Sequence, residues 1–384
     1  LSRWGLESNF AVPVIMFALY CLARINENGA WFIPGMVFLA LVMYAYSAHL
    51  FFLIAFVPAI CSYILAKKTI EPKYLWIGVG AFLLISIPMV LFLIVNTFDI
   101  ASIHFFGITI PKHSMLRSEF AVNLLCKYDN KSFFQMLAEN IRLLGDMLFK
   151  FKGGYDHHNA PSQFGALYVF MMPFMLIGIA SSIDKARKNN VITLLLAWFA
   201  CVLIENLIIG TNIVRMNIAF LPMIIFIVLG IQWVGKKLKS ALAIFLIVSC
   251  FAFIPFCSYY FNEFNSDIKG HFYGGLDEAI AYASVHAKGD IYVTEAGREP
   301  YIISLFAEKI PPREFLETVQ YESYDYQFRH VVRYKNFVSG IPDELYPSAG
   351  DVYIYQIDEE VSPVFTEVNY QMYEFGNYIL IIIT

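Results

Sequence analysis

Apolar residues in this chain come in long blocks rather than alternating stripes. Predominantly apolar stretches near residues 8–23, 31–47, 50–66, 74–96, 164–183, 191–209, 213–235 and 240–261 read as helices built to cross a hydrocarbon core of roughly 30 Å. The second and third run together almost unbroken. They are too long for one ordinary span and are divided here at Ser47-Ala48-His49, giving eight expected spans. Prolines within them (Pro13, Pro58, Pro88, Pro173, Pro222 and Pro255) are compatible with membrane helices.

Between the fourth and fifth spans, residues 98–163 form a connection too long to be a plain linker. Within it, Glu119 to Phe151 places Phe120, Leu124, Leu125, Phe133, Met136, Leu137, Ile141, Leu144 and Leu148 at helical spacing. This predicts one or two amphipathic helices, lying at the membrane interface or packed on the protein itself. Beyond Asn262 the pattern changes to that of a small α/β domain. Helices are expected over Gly275 to Ala287 and Tyr301 to Ala307. Strands are expected over Asp290 to Thr294, Phe328 to Phe337, Asp351 to Gln356, Val364 to Phe375 and Tyr378 to Ile383, with loops at Pro311-Pro312 and Gly340-Ile341-Pro342.

Composition agrees with this division. The 384 residues are 58% hydrophobic and 15% charged, the balance of an integral membrane protein rather than a large soluble one. Residues 1–261 carry 19 Lys and Arg against 11 Asp and Glu, whereas residues 262–384 carry 8 against 20. A transmembrane domain over 1–261 and an extracytoplasmic α/β domain over 262–384 are therefore expected: a membrane all-α multi-span bundle followed by a small α/β domain. The acidic balance gives no reason to expect a nucleic-acid partner. Six cysteines, Cys126 in a loop and the others in apolar runs, read as small buried hydrophobes and not as a disulfide framework. The sequence starts at Leu1 without a signal peptide, so further residues upstream are expected.

Basic residues set the expected orientation. Arg24, then Lys67, Lys68 and Lys73, then Lys185, Arg187 and Lys188, then Lys236, Lys237 and Lys239 occupy alternate connections, which are cytoplasmic by the positive-inside rule. Residues 1–7, His49, the 98–163 loop, the turn at 210–212 and the acidic tail would then share the outer side.

Most of the unusual polar chemistry falls on that side. Gly210-Thr211-Asn212-Ile213-Val214-Arg215-Met216-Asn217 leads directly into an apolar span, and Glu205 lies near the end of the preceding one. An arginine within a membrane helix costs roughly 2.5–3.5 kcal/mol on insertion scales and less near the interface, so it snorkels, pairs with an acid or binds an anion. Two readings stand: a structural ion pair between Glu205 and Arg215, or an anionic-substrate site. Asp156-His157-His158-Asn159 is the tight acid/histidine cluster. Adjacent histidines point apart on a helix or a strand, so joint metal ligation needs a loop geometry. Substrate hydrogen bonding or loop ordering is preferred, no cofactor is expected, and a divalent metal stays open. Ser2-Arg3-Trp4-Gly5-Leu6-Glu7-Ser8-Asn9 puts Arg3 and Glu7 at the outer mouth of the first span, as an interfacial anchor or a second phosphate-binding cation beside Arg215. His49 would sit at the headgroup level. The tail contains no P-loop, GxGxxG or zinc-ligand spacing.

The segment SRWGLESN before an apolar span, Tyr44-Ala45-Tyr46-Ser47, Asp156-His157-His158-Asn159-Ala160-Pro161 and Asn212-Ile213-Val214-Arg215-Met216-Asn217 resemble short motifs of multi-spanning C-type glycosyltransferases. The likeness is to protein-mannosyltransferase-like and aminoarabinose-transferase-like bacterial members, and it covers most of the chain. It implies transfer of a sugar from a polyprenyl-phosphate carrier to a glycan, lipid or protein acceptor at the outer face of the cell membrane. It further implies an aspartate base in the first outer loop, which no residue here matches and which is expected upstream of Leu1. By the same resemblance Arg215 would contact the carrier phosphate, with Glu7, His157 and His158 lining the sugar or acceptor side. A rival class is a polytopic transporter or lipid-carrier flippase with Glu205 and Arg215 in its pathway. A third is a membrane-anchored binding or assembly protein acting through the acidic tail.

Overall fold

The computed structural model describes residues 8–105, 107–112, 132–149, 163–295, 300–322 and 330–384. The chain divides into two compact units, a helical one ending at Asn262 and a second running from Glu263 to Thr384.

The helical unit contains α1 (Ser8–Ala23), α2 (Phe32–Ala45), α3 (Leu50–Lys67), α4 (Pro72–Thr97), α5 (Phe133–Phe149), α6 (Met172–Ala186), α7 (Asn190–Ile209), α8 (Asn217–Gly235) and α9 (Ala241–Asn262). Every expected span is a helix. Among the described residues six helices are long and apolar enough to cross a membrane, while α1 and α2 are shorter apolar helices. Six such helices fit a multi-pass membrane protein. Helix starts follow local chemistry: the Asn189 side chain accepts from Val191 and Ile192 N–H at the head of α7, and Pro72 opens α4 where its missing N–H costs nothing. Pro173 likewise lies in the first turn of α6, not within it.

Helices α7 and α8 are central, burying Trp198, Phe199, Val202, Met223, Phe226 and Ile227. By contrast, α4 and α9 present Trp76, Leu83, Leu84, Phe251, Ile254 and Phe261 outward. Apolar surface on that scale is what a lipid-facing helix shows. The closest helix pair is α6 and α8. A methyl group on Gly178 would stand 1.8 Å from the Phe226 carbonyl oxygen, and one on Gly230 would stand 1.8 Å from the Phe174 carbonyl oxygen. The two glycines thus let the backbones touch, the small-residue packing of membrane helices.

Connections sort to the two ends of this unit. At one end Asn190 donates to the Asn26 side chain at 3.0 Å and Lys67 reaches the Arg187 carbonyl at 3.5 Å. At the other, Asn217 donates to Asn9 at 2.8 Å. The basic connections after α1, α3 and α6 therefore share an end, and α8, which starts at the opposite end, carries Lys236 and Lys237 to it.

The long connection holds more structure than its periodicity predicts. A hairpin of β1 (Ile103–Phe105) and β2 (Ile108–Ile110) precedes α5, whose buried face is Met136, Asn140, Met147 and Leu148. The helix is observed from Phe133; the Glu119 end of the predicted segment, and Cys126, lie outside the described residues.

The second unit comprises β3 (Ile291–Val293), β4 (Gln320–Tyr321), β5 (Val331–Tyr334), β6 (Phe337–Ser339), β7 (Val352–Gln356), β8 (Tyr370–Phe375) and β9 (Tyr378–Ile383), with helices α10 (Phe264–Ile268), α11 (Leu276–His286), α12 (Tyr301–Ala307) and α13 (Pro312–Thr318). The sheet order is β4-β5-β6-β3-β7-β9-β8. β3 lies parallel to both β6 and β7; the other pairings are antiparallel. Strands β7 and β9 are buried on both faces. Val352, Ile354, Leu380 and Ile382 pack with Leu276 and Ile280, while Tyr353, Tyr355, Ile381 and Ile383 pack with Leu345 and Phe365.

Three tail expectations change. The predicted strand over Phe328 to Phe337 is two strands, β5 and β6, turned at Lys335 with φ 48°; residues 328 and 329 lie outside the described residues. The predicted strand from Val364 begins as a 3-10 turn over Pro363–Glu367, because the Ser362 hydroxyl accepts from the Val364 N–H and Pro363 favours a helical start. Pro312 opens α13 instead of continuing a loop.

Candidate functional site

Of the predicted site residues, Arg3 and Glu7, and Asp156, His157, His158 and Asn159, lie outside the described residues. Glu205, Asn212 and Arg215 gather at the end of the helical unit where α7 turns into α8.

The turn is built by its own sequence. Gly210 ends α7 with φ 83°, a backbone shape that glycine adopts freely. The Asn212 side chain accepts from the Arg215 N–H at 2.8 Å, a local side-chain-to-backbone bond that fixes the turn ahead of α8. Arg215 then folds back, and its Nη1 donates to the Ile209 carbonyl at 2.5 Å and the Gly210 carbonyl at 2.9 Å. From α5, Asn140 Nδ2 donates to the Leu207 carbonyl at 2.7 Å. The end of a helix leaves carbonyls without intrahelical donors and carries a partial negative charge, so a guanidinium and an amide satisfy it.

Glu205 does something else. The ion pair with Arg215, one of the two readings, is not formed; Glu205 Oε1 lies 2.9 Å from His49 Nδ1, and neither side chain is exposed. A fully enclosed carboxyl needs a donor equally enclosed. His49, leading into α3 and set edge-on to Tyr46 at 5.1 Å between ring centres, provides it. Arg215 is near enough to influence Glu205 through space, yet among the described residues it forms no ion pair with a carboxylate.

Periodicity did not disclose His49 as the partner of Glu205, nor Asn140 as a cap on α7. A signal for Asn140 does exist: it stands four positions after Met136, on the apolar face of α5. Buried polar atoms concentrate here as well. His49 Nε2, Glu205 Oε2, Asn206 Oδ1 and Arg215 Nε are enclosed with no hydrogen-bond partner among the described residues. No group of three or more His, Cys, Asp or Glu suited to a metal ion occurs among the described residues.

Neither the protein-family models, nor the curated proteins, nor the solved structures contain a match to this chain. The likeness to C-type glycosyltransferases therefore rests on the short motifs quoted above.

Proposed function

We propose that this chain is a membrane glycosyltransferase that takes a sugar from a polyprenyl-phosphate carrier and passes it to an acceptor on the outer face of the membrane. The observation that carries the reading is the separation of Glu205 from Arg215. With Glu205 bound to His49, Arg215 keeps a positive charge that carbonyls orient but no described carboxylate neutralises. A half-buried guanidinium at one end of a bundle of apolar helices suits a lipid phosphodiester, since its planar fork of donors matches phosphate oxygens. The gathering of the basic connections at the opposite end supports an extracytoplasmic position for Arg215 and the tail.

The test is binding of a radiolabelled polyprenyl-phosphate-sugar to the detergent-purified protein. Arg215→Lys is expected to weaken binding, and Arg215→Ala to weaken it by roughly 30- to 1,000-fold, the loss of about 2–4 kcal/mol from a partly desolvated charge-assisted contact. Wild-type binding by a folded Arg215→Ala protein overturns the reading. A transporter or flippase is the second reading, favoured by the enclosed His49–Glu205 pair, since buried ionisable groups line ion pathways. Substrate counterflow in liposomes, abolished by Glu205→Gln, distinguishes it.

A further inference from the structure

The sheet of the second unit ends differently on its two sides. In the order β4-β5-β6-β3-β7-β9-β8, the β4 edge is two residues long and breaks register against β5. The β8 edge, Tyr370-Gln371-Met372-Tyr373-Glu374-Phe375, is six residues long and pairs with β9 without a bulge. Proteins blunt an exposed edge with short strands, bulges, lysine or proline. The β4 edge uses two of these devices, whereas β8 uses none. No further strand covers β8 among the described residues, and Tyr370 and Met372 are 44% and 54% exposed.

The ladder fixes which main-chain groups of β8 are unused. The Ile383 N–H donates to the Asp351 carbonyl on the β7 side, and the Thr384 N–H donates to the Asn369 carbonyl on the β8 side. Successive residues of a strand direct their peptide groups to opposite sides. Tyr370 stands opposite Ile383 and Gln371 opposite Ile382, so the N–H and C=O of Gln371, Tyr373 and Phe375 turn to β9. Those of Tyr370, Met372 and Glu374 turn outward, where a further strand would bond them.

The strand is its own complement. With a second copy set antiparallel and the two-fold axis through Met372, Met372 faces Met372 of that copy and Tyr370 faces its Glu374. Every outward residue then lies in a bonded pair, giving about six hydrogen bonds. Any shift of this register leaves outward groups unpaired on both strands. Glu374 is the one charge in β8. This register keeps the two Glu374 residues roughly 14 Å apart along the strands, beyond the screening length of about 8 Å in physiological salt. A patch that complements itself in this way is the isologous contact of a two-fold dimer. We propose that β8 joins two copies of this chain through one continuous sheet.

The test uses the full chain in detergent, where sedimentation is expected to show a dimer in equilibrium with monomer. Met372→Lys sets two ammonium groups opposite each other and is expected to weaken the dimer at least about tenfold, with unchanged circular dichroism. Met372→Pro removes an N–H that β9 does not use, as edge strands tolerate, and should have the same effect. In a cysteine-free background, Met372→Cys lies about 5.5 Å from its counterpart and should be joined to it by a short bismaleimide, whereas Glu374→Cys should not. A monomeric wild-type protein, or equal cross-linking of the two cysteine variants, overturns the proposal. A dimer untouched by Met372→Lys and Met372→Pro would place the interface on another surface and also overturn it. None of these outcomes depends on Arg215.

Discussion

His49 and Glu205 stand 156 positions apart in sequence and meet at 2.9 Å with both side chains fully enclosed. Their contact fastens the start of α3 to the last turns of α7. Removing one member of such a pair strands the other in an apolar setting, at about 3–5 kcal/mol. His49→Ala and Glu205→Ala are each expected to lower the unfolding temperature in detergent markedly. Glu205→Gln, which keeps an acceptor for the imidazole N–H, should lower it by less than half as much. A paired apolar replacement, His49→Leu with Glu205→Met, should recover most of the loss. A Glu205→Ala protein as stable as wild type would show that the contact contributes nothing.

Arg215 is tied to the Ile209 and Gly210 carbonyls and forms no ion pair with Glu205, so the two residues should couple only weakly, through space. Glu205→Gln is expected to leave the binding defect of Arg215→Met uncorrected, with coupling below about 0.5 kcal/mol in a double-mutant cycle. Restored binding and expression in the double variant would mean that the two charges serve each other after all.

The backbone contact between α6 and α8 sets a steric limit. Gly178→Ala and Gly230→Ala each place a methyl 1.8 Å from a carbonyl oxygen, so the helices must separate. A loss of about 1–3 kcal/mol is expected for either, and Gly178→Leu should yield no monodisperse protein. Gly80, with nothing within 4 Å of an added methyl, is the control, and Gly80→Ala should be neutral. Thermal unfolding of the three variants decides.

Orientation can be tested with single cysteines in a cysteine-free background. Ser348→Cys, in an exposed loop of the second unit, should react with a membrane-impermeant thiol reagent in intact cells. Lys188→Cys, between α6 and α7, should not. Lys188 is a better probe than its neighbour Asn189, whose side chain caps α7. The opposite labelling pattern would place Arg215 on the cytoplasmic side and remove the basis of the proposed function.

The second unit should be sensitive to alkali. Burial pushes the Tyr378 phenol up to about 12; burial first, then nearby Asp351, raises Tyr353. In the unfolded chain a tyrosine ionises near pH 10, so there the unfolded state gives up its proton first. Stability is therefore complete below about pH 10 and falls as pH rises toward 12. Tyr378→Phe should flatten that loss, measured by circular dichroism and tyrosinate absorbance. A variant with the same pH profile as wild type would exclude the contribution.

The helices were legible because a membrane span needs only length and few charges, both visible without knowing any neighbour. Strand β9 was legible for a related reason: Tyr378 to Ile383 is a β-rich apolar run following Gly376-Asn377. The β5–β6 turn was not, because Lys335-Asn336 lacks the glycine that marks a tight hairpin. Glu205 and Arg215 stood out as charges inside apolar runs, but whom each would bind was decided by three-dimensional proximity. His49 reaches Glu205 from a helix in another part of the chain, whereas the nearest acceptors for Arg215 are backbone carbonyls, which every residue carries and no pattern of side chains reveals.

The reciprocal contact of Gly178 and Gly230 bears on how this protein moves. An interface made of backbone has no rotamers to exchange, so α6 and α8 cannot slip past one another by repacking side chains as ordinary helices do. They behave as a keel. Any gating at the Glu205 end then falls to α3 and α5, whose contacts there run through side chains, His49 to Glu205 and Asn140 to the Leu207 carbonyl, and can release and re-form.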